Sequence, residues 1–180
     1  MSIERIGDKI ISKEKIYRAV DAILALRIHG MSQQEVARSF NTDRAFISRL
    51  ENLGEIRKGR RTALVGFPVQ NCVEIEEKAK EQGIDYCLLM TEKQRWAFVQ
   101  EKSGLELVNE LTRIVRELRA CDVVIAIGSD ERIRWIQAML DHDVIPVSLG
   151  ASPLATDCYV DPDVIAQIMR PLKPQTGGKL

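Results

Sequence analysis

Val123-Val124-Ile125-Ala126-Ile127 is five apolar residues in succession, with no polar side to turn toward water. A strand of this kind needs a sheet covered on both faces. From residue 62 onward, comparable runs alternate with amphipathic stretches. Residues 63–67, 84–90, 123–127 and 144–149 read as strands, and 73–82, 92–102, 105–119, 130–140 and 162–169 as helices. Gly83 closes the first of those helices, and Ser103-Gly104 separates the second from the third. Strand–helix alternation argues for a parallel sheet with right-handed crossovers. The expectation for 62–170 is an α/β fold: a small Rossmann-like three-layer sandwich of about four strands. Residues 171–180, rich in Pro, Gly and Lys, are expected to be a disordered tail.

The first third of the chain follows a different period. Ile3, Ile6, Ile10 and Ile11 have helical spacing and suit an arm that packs on the head or on a partner. A helix is expected over 12–29, with Tyr17, Val20, Ile23, Leu24 and Ile28 as its buried stripe and Gly30 as its stop. Next, Val36, Ala37 and Phe40 share one face of a short helix, and Ile47 and Leu50 one face of another. Ala37 is small where two helices must approach closely. Asn41 tolerates a left-handed backbone and can redirect the chain. Thr42 or Asp43 can cap the second helix, while Ser32 and Glu35 form a capping box on the first. Leu53-Gly54 ends the second helix, with Gly54 expected in the left-handed position and Ile56 available for the accompanying apolar contact.

Residues Gln33 to Glu51 resemble the helix-turn-helix of bacterial transcription regulators, with Glu35-Val36-Ala37 before the turn and Ile47-Ser48-Arg49-Leu50-Glu51 after it. Two positions depart from the family pattern. Asn41 stands where Gly is commonest, and keeps the turn. Thr42 stands where an aliphatic residue is usual, and weakens the apolar contact. The resemblance implies a second helix that enters the major groove of double-stranded DNA and a protein that pairs as a homodimer. Asp43, Arg44, Ala45, Ser48 and Arg49 would then face bases, and Gln33 and Gln34 would contact backbone phosphate. Residues 1–61 are thus expected to be an all-helical DNA-binding domain, winged if the basic segment after it folds back.

That segment contains Arg57, Lys58, Arg60 and Arg61. It is either a basic linker or a hairpin turning at Lys58-Gly59, and in both cases its cations suit phosphates or the minor groove. The 180-residue chain is neutral overall, yet 1–61 holds 13 Lys and Arg against 8 Asp and Glu, and 62–180 holds 13 against 18. Such asymmetry fits a basic head joined to an acidic unit that phosphate would repel.

Other classes find less support. The apolar runs are too short to span a membrane, and the charged N-terminal residues do not form a signal peptide, so the cytoplasm is expected. Cys72, Cys87, Cys121 and Cys158 form no CxxC pair, and the two histidines, His29 and His142, read as helix-end residues. No metal and no cofactor are expected, since no loop is a GxGxxG or a Walker sequence. Near Gly128, Ser129 would cap a helix whose Asp130 and Glu131 repel phosphate. The loop Gln70-Asn71-Cys72, with Ser129, is the remaining candidate for a small-molecule effector, Cys72 gaining a lowered pKa at a helix start. The competing reading has Asn71 capping and Cys72 packing. No nucleophile–base arrangement assembles, so the chain is not expected to be an enzyme. The competitors to a DNA-binding regulator are a protein-interaction module built on the same helices and, behind it, an enzyme with a regulatory head.

Overall fold

A computed structural model describes residues 3–55, 61–140 and 143–172. The chain divides into two compact units, Met1–Glu55 and Ile56–Leu180. Its described part is α/β, with eight helices and a four-stranded parallel sheet.

The first unit is not all-helical. It opens with two antiparallel strands, β1 (Ile3–Ile6) and β2 (Lys9–Ser12), paired from Ile3 opposite Ser12 to Ile6 opposite Lys9. The helical spacing of the isoleucines loses to the two-residue loop Gly7-Asp8, because Gly7 takes a φ of 58° that a tight hairpin turn requires. Lys13 Nζ meets Glu4 Oε1 at 2.9 Å beside it.

Helix α1 (Lys13–Ile28) begins on Ser12, whose hydroxyl accepts from the Lys15 N–H. Its expected stripe is corrected. Only Ile23 is buried, while Tyr17 and Ile28 are 62% and 84% exposed. The reason is that α2 (Gln33–Ser39) and α3 (Arg44–Leu53) are short. Their Val36, Ala37 and Ile47 close a small core with Ile23, flanked by Leu26, Met31, Phe40 and Leu50. Val20 and Leu24 instead border an open apolar hollow against Leu50 and Leu53.

Caps set the α2–α3 junction as expected. Ser32 and Glu35 form the capping box, Asn41 adopts a φ of 51°, and Asp43 accepts from the Phe46 N–H at 2.7 Å. Gly54 differs from expectation: it caps α3 at a φ of −98°, its N–H donating to the Leu50 and Glu51 carbonyls, so no left-handed residue is needed there. Residues 56–60, with the anticipated contact of Ile56 and the turn at Lys58-Gly59, lie outside the described residues.

The second unit runs β3 (Thr62–Gly66), α4 (Cys72–Gln82), β4 (Tyr86–Leu89), α5 (Glu92–Gln100), α6 (Gly104–Arg119), β5 (Val123–Gly128), α7 (Asp130–Met139), β6 (Asp143–Ser148) and α8 (Pro162–Leu172). The strand order is β4-β3-β5-β6, with Leu64 paired to Cys87 on one side and to Ile125 on the other. Strand periodicity divides the side chains between two faces. Leu64, Ile125 and Ile127 pack with Ile75 and Ala79 of α4 and Ile165 and Met169 of α8. Ala63, Val65, Val124 and Ala126 pack with Ile114 and Leu118 of α6 and Ile133 and Ile136 of α7. Each fully buried Ile or Leu in these layers contributes about 2 kcal/mol.

Entry to the sheet is fixed by carboxylates on the neighbouring turns. The Arg61 N–H donates to Asp122 Oδ2 at 3.0 Å and the Thr62 N–H to Asp85 Oδ2 at 2.8 Å. Arg61 is thereby tied to the second unit. Gly66 is required by packing, since a Cβ there would lie 2.9 Å from Ile127 Cβ and 3.0 Å from Leu89 Cδ2. Of the anticipated tail, Pro171 and Leu172 finish α8, and 173–180 lie outside the described residues.

Candidate nucleic-acid interface

The surface around α3 follows from its burial pattern. With Ile47 wholly buried and Leu50 half-buried, Arg44, Ala45 and Arg49 stand exposed and Ser48 half-exposed. Asp43 is exposed but engaged, because its carboxylate caps the helix. Gln34 is exposed in the first turn of α2.

Gln33 and Arg44 are brought together. Arg44 Nε donates to Gln33 Oε1 at 3.3 Å, and Gln33 Nε2 donates to Glu51 Oε2 at 2.7 Å. Glu51 Oε1 in turn accepts from Arg27 Nε at 2.5 Å, and Arg27 Nη1 donates to the Met31 carbonyl. One polar chain therefore links α1, α2 and α3. Arg27 and then Gln33 hold the Glu51 carboxyl below its usual range, through hydrogen bonds to the charged form. Arg27, Ser32, Gln33, Gln34 and Arg44 line an open polar hollow of about 420 Å³.

Phe46, outside the set expected to face bases, is 43% exposed on α3. An aromatic ring at such a place can meet a thymine methyl. Its signal in the sequence was masked by Ile47, one position on, which fills the apolar role. The charge excess also needs relocating. The first compact unit ends at Glu55 rather than at the expected residue 61, and residues 1–55 carry 9 Lys and Arg against 8 Asp and Glu, so the surplus expected of the head lies in 57–61, outside that unit. Arg57, Lys58 and Arg60 fall outside the described residues.

The second candidate set is largely occupied by the fold itself. Asn71 sits at the N-cap of α4 without capping it. Its amide donates to the Val160 carbonyl at 2.8 Å and to Glu74 Oε2 at 2.7 Å, and its Oδ1 accepts from the Val160 N–H at 3.0 Å. Cys72 Sγ bonds the Val69 carbonyl at 3.1 Å. The expected lowering of its pKa is reversed: burial pushes the thiol up, helped by Glu76 and Asp157. Ser129 does not cap α7. It is wholly buried, its Oγ 3.0 Å from Ser152 Oγ. Gln70 is exposed and bonds Cys158 through its backbone N–H.

Among the described residues, no group of three or more His, Cys, Asp or Glu is gathered to hold a metal ion, and no helix is long and apolar enough to cross a membrane. No family model, no curated protein and no solved structure matches the chain.

Proposed function

We propose that this chain is a cytoplasmic DNA-binding transcription regulator rather than an enzyme. A helix-turn-helix head reads double-stranded DNA, and a Rossmann-like unit dimerises, senses a small molecule, or both. The observation that carries the reading is the junction of α2 and α3. Asn41 turns the chain at a φ of 51°, Ile47 buries one face of α3, and Arg44, Ala45 and Arg49 remain exposed. A homodimer would present two such helices to successive major grooves, about 34 Å apart.

The test is selection of binding sequences from genomic fragments, then footprinting and titration. A double Arg44→Ala, Arg49→Ala variant is expected to lose about 1–3 kcal/mol per base contact and to relax sequence preference. Undiminished affinity in that variant overturns the docking.

A second reading, in which the same helices bind a protein, is favoured by one observation. Phe46 and Leu53 are exposed on α3, and residues 1–55 are close to electrically neutral. Salt-dependent retention on nonspecific duplex DNA separates the two, since only phosphate binding releases counterions.

A further inference from the structure

One groove in the second unit has the dimensions of a ligand site. It runs between α6 and α7 over β3, is closed at one end by α5, and encloses about 720 Å³. Small-molecule sites span roughly 300–1,000 Å³ and are mostly apolar with a few placed polar groups. Here Phe98 and Leu111 form one wall, Trp135 and Ile136 the other, and Phe67 and Arg132 one end. The location is also the expected one. Strand order reverses between β3 and β5, and ligands of open parallel sheets enter where such strands end. Phe67 follows β3 directly, and Arg132 lies in the first turn of α7 after β5.

Arg132 gives the groove its chemistry. Its guanidinium lies over the Phe67 ring, 4.9 Å from the centroid, with Nη1 3.5 Å from the Phe67 carbonyl. Gly128 permits this, since a Cβ there would come within 3.3 Å of that carbonyl and 3.6 Å of Arg132 Cβ. Among the described residues no carboxylate forms an ion pair with Arg132, whereas Arg95 is clasped by Glu92 at 2.6 and 3.0 Å. The lip also carries Glu131, an exposed acid, and Asp130 precedes it in the chain, its carboxylate accepting from the Ser148 hydroxyl. Arg132 offers one guanidinium, the planar partner of one carboxylate, and the acids beside it disfavour a phosphate's two charges more than a carboxylate's one.

We propose that this groove binds a small amphipathic monocarboxylate, its apolar body between Leu111 and Trp135 and its carboxylate on Arg132. The inference rests on the sensing role proposed above. Its test uses no DNA, so failure of ligand binding and failure of operator binding are distinguishable.

The probe is decanoate, kept below micelle-forming concentration, with decanol as its neutral counterpart. Trp135, one of the two tryptophans of the chain, lines the groove on α7 and reports binding by fluorescence. The 180-residue chain is expected to bind decanoate at least tenfold more tightly than decanol. Arg132→Gln should erase that preference by weakening decanoate tenfold while leaving decanol unchanged. Leu111→Glu, at a position already 47% exposed, should abolish binding of both with no loss of thermal stability. The proposal is overturned by absence of decanoate binding, by equal affinity for the two probes, or by an unchanged preference in Arg132→Gln. It is equally overturned if sedimentation shows a dimer that Leu111→Glu dissociates while decanoate never binds, since a second copy then fills the groove.

Discussion

Gln33 Nε2 donates to Glu51 Oε2 across 2.7 Å, and through that bond the start of α2 is held to the end of α3. Glu51 also accepts from Arg27, both side chains being about 30% exposed, so its loss strands two donors from two other helices. Glu51→Ala is expected to destabilise the first unit by about 1–2 kcal/mol in urea titrations. The carboxyl is held below its unfolded value of 4.5. Its contribution is therefore fully present above that value and lost as pH falls through the lowered folded pKa. Wild type should lose stability in that acid window, and Glu51→Gln should lose less.

Asn41 is the one non-glycine described residue with a left-handed backbone. Asn41→Gly is expected to change stability by no more than about 0.5 kcal/mol, because Gly adopts that region freely. Asn41→Val should cost about 1–2 kcal/mol, since a β-branched side chain clashes there. Thermal unfolding of both variants checks the turn, and an undisturbed Val variant would show that the turn has relaxed elsewhere.

The basic surplus expected of the head sits in Arg57, Lys58, Arg60 and Arg61, just beyond the first compact unit. Replacing all four with Ala should reduce the slope of log affinity against log salt by up to about 3.6, at about 0.9 per phosphate neutralised. Preference among sequences should survive, since these residues are assigned to phosphate rather than to bases. Fluorescence anisotropy at several salt concentrations measures both.

Asn71 satisfies both backbone groups of Val160, which is 4% exposed. Asn71→Ala leaves those groups unpaired and should cost about 1–3 kcal/mol in the second unit. A negligible cost in denaturant titration would return Asn71 to the pool of ligand-facing residues.

Burial pushes the Cys87 thiol up to about 12. At pH 8 iodoacetamide is expected to leave Cys87 unmodified in the native protein and to label it in urea, read by peptide mass spectrometry. The folded state keeps a proton that the unfolded chain releases near pH 9.0, so this thiol's contribution to stability declines between there and about pH 12.

The order of strands and helices after residue 62 was legible because each element carries its own period and its own stop. Gly83 at a φ of 80°, and the capping boxes Thr91–Gln94 and Ser103–Glu106, are local signals that the fold obeys. The N-terminal hairpin was not, since isoleucines at 3, 6 and 10 satisfy a helix as well as two strands, and one Gly-Asp pair decides between them. The role of Asn71 was illegible for a different reason: its partner Val160 lies 89 residues away. The groove is illegible in the sequence likewise, because Phe67, Phe98, Leu111 and Arg132 stand on separate elements that only the topology assembles. Where a residue's partners are its neighbours in sequence, its role can be read. Where they are distant, the same side chain looks like a free functional group.

The packing of α8 on the sheet imposes an order of events on the growing chain. Residues 3–55 hold all they need for their own core, whereas Leu64, Ile125 and Ile127 wait for α8, the last described helix to emerge. Until Ile165 and Met169 arrive, that side of the β3–β5 pair is covered by α4 without α8. The second unit is therefore the part of this protein most exposed to aggregation during translation, and the part for which a holding chaperone would matter.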